Sequence, residues 1–162
     1  TRQLTSQQYA DAILQGKIVA VIEGQAEFGP RALGNRSLLC LPTDDNIKKL
    51  NKIKNRAEDS WRPYAPICQK ETADKWFHVT KACPYMLHIA KIKSGPFNTY
   101  DNSARLQVVS QDSNIFLWRI LELLRYSGHS VLINTSLNAK GKPIVNTVDD
   151  LKEIQLHNEL CY

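Results

Sequence analysis

The sequence predicts an α/β (α+β) fold, a mixed β-sheet flanked by helices. Three observations carry this reading. The run Lys17-Ile18-Val19-Ala20-Val21-Ile22-Glu23 has the length and the β-branched content of a buried strand. Positions 114–126 hold Ile115, Trp118, Leu121 and Leu124 at helical spacing, with Ile120 and Leu123 beside that stripe. Elsewhere short strand-like and helix-like segments are mixed at close spacing, with no repeat and no low-complexity tract.

The elements follow in order. Thr5 and Gln8 have the spacing of a capping box that opens a helix, and Gly16 is a suitable stop for it. The strand over 17–23 comes next, then a glycine- and arginine-rich loop, then strand-like 38–41 ahead of Pro42. Asp44 and Asp45 suit the start of a short helix with Ile47, Leu50 and Ile53 on its buried side. Arg62-Pro63 does not belong inside a helix. Residues 65–68 read as a strand with Pro66 at its edge. A short helix over 71–77 and a strand over 85–92 follow. In that strand Met86, His88, Ala90 and Ile92 face one way, Leu87 and Ile89 the other. Gly, Pro, Asn and Asp make 94–103 a loop, and 104–109 a further strand. Gly128 ends the 114–126 helix. A strand over 130–134 and a last helix capped by Thr147 and Asp150 complete the order.

The 162 residues suffice for one domain with a full core. A hydrophobic share of 43% and a charged share of 23% are those of a globular chain. No apolar run reaches the length of a membrane span, and the N-terminal residues have no signal-peptide pattern. Lys and Arg number 21 against 16 Asp and Glu, a net charge of +5 that favours anionic ligands such as nucleotide, phosphate or nucleic acid. The basic residues are spread along the chain, so charge alone decides little. Cys40, Cys68, Cys83 and Cys161 form no C-x-x-C pair, which predicts free thiols in a reducing, cytoplasmic setting. The four histidines are scattered, and no metal site built from this chain's own ligands is expected.

The most informative stretch is Glu27-Phe28-Gly29-Pro30-Arg31-Ala32-Leu33-Gly34-Asn35-Arg36-Ser37. Gly29 and Gly34 free the backbone to approach a ligand, and Pro30 fixes the turn. Arg31 and Arg36 each offer a planar fork of donors matched to carboxylate or phosphate oxygens. A tight turn with two solvated arginines is the plainer alternative. Further basic residues fall in loops: Lys52, Lys54, Arg56 and Arg62, then Arg105. Ser136 and Asn138 stand two apart in Asn134-Thr135-Ser136-Leu137-Asn138, so an extended backbone would put both side chains on one face. A turn in which they serve local backbone is the alternative.

The order of these segments resembles the C-terminal part of the carbamoyltransferase family, which includes antibiotic O-carbamoyltransferases and nodulation-type carbamoyltransferases. The resemblance rests on Phe28-Gly29-Pro30-Arg31-Ala32-Leu33-Gly34-Asn35-Arg36-Ser37, Ile53-Lys54-Asn55-Arg56 and Trp61-Arg62-Pro63-Tyr64-Ala65-Pro66. It continues through Pro84-Tyr85-Met86-Leu87, Ala104-Arg105-Leu106-Gln107, the Asn134–Asn138 segment and Gly141-Lys142-Pro143-Ile144-Val145. Together these cover most of the chain.

The resemblance implies a YrdC-like twisted mixed sheet over residues 1–162. It implies that ATP, with Mg2+, and carbamoyl phosphate are used to make carbamoyl adenylate. A separate N-terminal domain of Kae1-like fold, with an Fe2+ or similar metal of its own, would then transfer the carbamoyl group to an acceptor hydroxyl. No such segment is present in these 162 residues, so the chain is expected to be a fragment or a half that needs a partner. Lys54, Arg62 and Arg105 are the implied contacts for the carbamoyl phosphate and α-phosphate oxygens. Arg31, Arg36, Arg56, Ser136 and Asn138 are the implied binding residues. Lys54 precedes Arg62 by eight positions, more than the resemblance leads one to expect, and Arg56 is the alternative holder of the lysine's role. Two other classes compete: a basic nucleic-acid-binding module, ranked lower because aromatic and basic residues are seldom interleaved, and a non-catalytic docking domain.

Overall fold

The computed structural model describes residues 4–56, 63–79, 81, 83–95, 97, 99, 101–152, 154 and 160–161. Helix α1 (Ser6–Leu14) opens with the expected reciprocal cap between Thr5 and Gln8. Gly16 then takes the left-handed φ of +77° that turns the chain into β1 (Ile18–Ile22). β2 (Arg36–Cys40) returns antiparallel to it, with Val19 opposite Leu39 and Ile22 opposite Arg36. Helix α2 (Asp44–Ile53) starts on Thr43, whose hydroxyl accepts the Asn46 N–H, and buries Asn46 and Leu50.

β3 (Ala65–Gln69), β7 (Gln107–Val109) and β8 (Val131–Ser136) complete the main sheet with β9 (Leu160–Cys161), in the order β7-β3-β8-β2-β1-β9. β3 is an inner strand. Pro66 is accommodated because pairing with β7 begins only at Ile67, so no ladder bond to that neighbour is lost at the proline. Helix α3 (Ala73–Trp76) leads into a second, three-stranded sheet of β4 (Phe77–His78), β5 (Ile89–Ile92) and β6 (Ser103–Arg105). Helices α4 (Ile115–Tyr126) and α5 (Val148–Lys152) complete the elements.

The side-chain period of two divides the main sheet into two faces. Val19, Val21, Leu39, Ile67, Val109 and Leu132 pack against α1 and α4. Ile18, Ala20, Leu38, Cys40 and Ile133 point the other way, under Leu50 of α2. On that second face Cys68, Val108 and Val131 meet the small sheet through Phe77, Ala90 and Ala104. α2 and the small sheet thus share one face side by side, and the boundary between them lies at the ends of β3 and β8.

Three expectations are corrected. The strand expected over 85–92 is only β5, because Met86 adopts φ +54°, a left-handed turn that extended chain does not permit. The strand expected over 104–109 is two strands in different sheets; fully buried Leu106 marks where the chain crosses from one to the other. The buried stripe of α4 is Leu117, Ile120, Leu121 and Leu124, while Ile115 is 44% exposed. The Asp150 carboxylate accepts the Asn146 and Thr147 N–H groups and caps α5 as expected. Cys40, Cys68 and Cys83 are buried free thiols.

Candidate functional site

At the boundary between α2 and the small sheet the described residues form a cleft. It is lined by Pro30, Arg31 and Ala32 of the glycine–arginine loop and by Arg56, Pro63, Tyr64 and Ala65 ahead of and into β3. Met86, Arg105 and Asn134-Thr135-Ser136 line the rest. Four of the sequence-predicted residues, Arg31, Arg56, Arg105 and Ser136, therefore come together from four separate segments. No carboxylate is among the described lining residues.

The charged side chains among the described lining residues are all arginines. Burial, and then the nearby charge of Arg31, hold the Arg105 guanidinium below its ordinary pKa. Like charges are tolerated this close only because both remain partly solvated, and an anion between them would relieve the repulsion. The Arg56 guanidinium lies 4.7 Å from the centre of the Tyr64 ring, a cation–π contact that fixes its direction. The Tyr64 hydroxyl donates to Asn51 Oδ1 at 2.8 Å, and burial pushes that phenol up to about 12.

Two predicted cations are used inside the fold. Arg36 lies in β2 and is only 7% exposed. Its Nη1 donates to the carbonyls of Glu23 at 3.1 Å and Asn35 at 2.8 Å, and its Nη2 to that of Gly24 at 3.0 Å. It braces the turn after β1 and does not line the cleft. Lys54, 5% exposed, donates through Nζ to Ser136 O at 2.8 Å, Asn138 O at 2.8 Å and Asn138 Oδ1 at 2.5 Å. Its three N–H donors are thereby matched to three acceptors. Burial, and then the charge of Arg56, lower its pKa to about 8.

Ser136 and Asn138 do converge, by bonding to each other: Ser136 Oγ donates to Asn138 Oδ1 at 2.6 Å. Asn138 itself lines a neighbouring hollow with Lys142, Pro143, Val145 and Asp150. Arg62 lies outside the described residues. Gly34 serves packing: a Cβ there would stand 2.2 Å from Leu117 Cδ1 of α4. Gly29, by contrast, has open space around it. Sequence reading missed Met86 and Asn134. The Pro84-Tyr85 step before Met86 is the one local sign of a turn there. The position of Asn134 two residues before Ser136 on one strand face was a readable signal for the other.

Helices on both faces of a mixed sheet, with a cationic cleft at one end, define an α/β module of the YrdC and Sua5 kind. The fold matches Sua5 of P. abyssi with a TM-score of 0.65 at 14% identity, covering 96% of this chain and 44% of that one. It matches full-length HypF, in a phosphate- and nucleotide-bound form, with a TM-score of 0.63 at 17% identity over 92% of this chain and 20% of that one.

Residues 10–162 match the family described as carbamoyltransferase C-terminus, and the chain belongs to that family. It is 37% identical over 157 residues to the 3'-hydroxymethylcephem-O-carbamoyltransferase of Amycolatopsis lactamdurans, covering 93% of this chain and 30% of that protein. It is 34% identical over 152 residues to nodulation protein NolO of Bradyrhizobium diazoefficiens, covering 87% of this chain and 28% of that protein. The chain thus spans less than a third of the length of these relatives. No described helix is long and apolar enough to cross a membrane.

Proposed function

We propose that the cleft binds carbamoyl phosphate and the phosphates of ATP, and that the chain activates the carbamoyl group as carbamoyl adenylate within a carbamoyltransferase. The observation that carries this reading is the convergence of Arg31, Arg56 and Arg105 on one cleft whose described lining holds no carboxylate. Family membership and the phosphate- and nucleotide-bound state of the HypF neighbour support it.

Carbamoyl phosphate is cleaved by water to carbamate and phosphate. A carbamate oxygen then attacks the α-phosphorus of ATP; a new P–O bond forms, the bond to the bridging oxygen breaks, and pyrophosphate leaves with the electron pair. Such chemistry asks the protein mainly for positioning and for fixed positive charge. Arg31 and Arg105 face the densest anionic charge. Ser136, at the end of β8, lines the same cleft; its hydroxyl proton goes to Asn138, so toward a ligand it is an acceptor. Magnesium fits as the counter-ion the nucleotide brings: it would be held by phosphate oxygens, since the described lining offers only hydroxyl and carbonyl oxygens. Transfer to an acceptor hydroxyl falls to a partner domain of Kae1-like fold that carries its own metal.

Calorimetry of the chain with carbamoyl phosphate and with ATP–magnesium tests the binding step, and carbamoyl-phosphate-dependent exchange of labelled pyrophosphate into ATP tests the chemistry. Arg105→Ala changes an exposed residue. It should weaken carbamoyl phosphate binding by at least about tenfold, the scale of a lost charge-assisted hydrogen bond. Equal affinity in Arg105→Ala and the unaltered chain would refute the assignment.

A further inference from the structure

Glu27 occupies the anion cradle that the glycine–arginine loop would otherwise offer to solvent. Its Oε1 accepts the backbone N–H of Leu33 at 2.7 Å, of Asn35 at 2.7 Å and of Arg36 at 3.2 Å. Three main-chain donors converging on one oxygen form a nest, a concavity that binds anions. Its other oxygen, Oε2, is buried with no hydrogen-bond partner among the described residues. Among the described residues, every hydrogen-bond donor to this carboxylate is a main-chain N–H.

The same stretch is held from the other polarity. Asn134 Nδ2 donates to the Ala32 carbonyl at 3.1 Å, and Gln107 Nε2 to the Leu33 carbonyl at 2.9 Å. Within residues 32–36 the N–H groups of Leu33, Asn35 and Arg36 are thus held by Glu27, and the carbonyls of Ala32 and Leu33 by two buried amides. Arg31 is the residue immediately before this stretch, and it lines the cleft.

We propose that Glu27 is a positioning residue: an internal anion that folds the glycine–arginine loop and thereby sets Arg31 at the cleft. The positioning part rests on the reading of the cleft as a site for carbamoyl phosphate; the anion nest does not. Glu27 itself contacts no substrate.

Glu27→Ala empties the nest, and formate is the probe that refills it. Formate titrated into 15N-labelled Glu27→Ala should move the amide signals of Leu33, Asn35 and Arg36 saturably, and leave the same signals still in the unaltered chain. Carbamoyl phosphate affinity should fall at least about fivefold in Glu27→Ala and recover with formate. A merely structural role of the side chain would give no formate-dependent recovery. Formate that moves none of the three amides, or an undiminished carbamoyl phosphate affinity, overturns the proposal.

Should Glu27→Ala fail to fold, Glu27→Gln keeps an acceptor and removes the charge. The three amide protons should then shift upfield as charge-assisted bonds become neutral ones; unchanged shifts overturn the proposal as well. Failure of the unaltered chain to bind carbamoyl phosphate would refute the reading of the cleft, while the formate shifts would still decide whether Glu27 fills an anion nest.

Discussion

Lys54 reaches across 84 positions of sequence to donate to Asn138, at 2.8 Å to its carbonyl and at 2.5 Å to its Oδ1. A third bond, to the Ser136 carbonyl, makes the ammonium a tether between the end of α2 and the end of β8. Lys54→Met should destabilise the chain by about 1–3 kcal/mol, because polar acceptors at a half-buried turn lose charged donors together. Urea denaturation reads this directly. A loss below about 0.5 kcal/mol would mean that water replaces the ammonium without cost.

The same lysine gives a pH dependence whose sign is fixed. Its folded pKa is lowered to about 8 from an ordinary 10.5. Below pH 8 both states hold the proton, and the folded state carries the full cost of the buried charge. Between about 8 and 10.5 the folded chain releases a proton that the unfolded chain keeps, so this group's contribution to stability rises with pH. Cys40 and Cys68 act oppositely. Burial pushes both thiols up to about 12 from 9.0, so the unfolded chain ionises first and stability falls above pH 9. Denaturation at pH 7.5, 8.2 and 9 should show a rise in the unaltered chain that Lys54→Met lacks. Parallel curves for the two proteins would show that Lys54 does not titrate in this window.

Gly34 and Gly16 separate two uses of a left-handed residue. Both have positive φ, +119° and +77°. Around Gly16 a Cβ would meet nothing within 4 Å, whereas at Gly34 it would collide with the Leu117 side chain at 2.2 and 2.6 Å. Gly16→Ala should cost about 1 kcal/mol from backbone strain alone. Gly34→Ala should cost about 2–4 kcal/mol, since overpacking against α4 adds to the strain. Leu117→Ala, which opens a cavity in the unaltered chain, should cost less in the Gly34→Ala background than in the unaltered one, because the new methyl occupies part of the space it vacates. Equal costs at the two glycines would remove the packing argument.

What the sequence made legible were features with a local cause. Thr5 with Gln8, and Thr147 with Asp150, announce helix starts because the cap is made within a few residues. The 17–23 run reads as a strand because both its faces are buried. The errors have physical reasons too. α4 is apolar around more than half its circumference, so spacing alone did not choose between the stripes led by Ile115 and by Leu117. Nothing local announces that Leu106 is where the chain changes sheets, because alternation continues across it. In the site, Arg31, Arg56, Arg105 and Ser136 were legible as polar residues of suitable chemistry. That Arg36 and Lys54 turn inward was not: all the acceptors of Arg36 and two of the three of Lys54 are main-chain carbonyls, which every residue carries and no composition distinguishes, and the third, Asn138 Oδ1, lies 84 positions away in sequence.

The amide pair beneath the cleft gives the last prediction. Asn134 Nδ2 donates to Gln107 Oε1 at 2.7 Å, and both side chains are at most 2% exposed. Each also holds a carbonyl of the loop that carries Arg31. Gln107→Leu leaves the Leu33 carbonyl and one Asn134 N–H unanswered in a site that water reaches poorly. It should cost about 1–3 kcal/mol, and Asn134→Leu a similar amount. The double variant should cost less than the sum, by a coupling of about 0.5–2 kcal/mol, because the second substitution removes a group already orphaned by the first. Amide exchange at Leu33, Asn35 and Arg36 should quicken in each variant, since losing a carbonyl clamp lets the loop open more often and break its bonds to Glu27 as it does. Additive stabilities with unchanged exchange at 33–36 would show that the two amides act separately and that the Glu27 nest alone sets the loop.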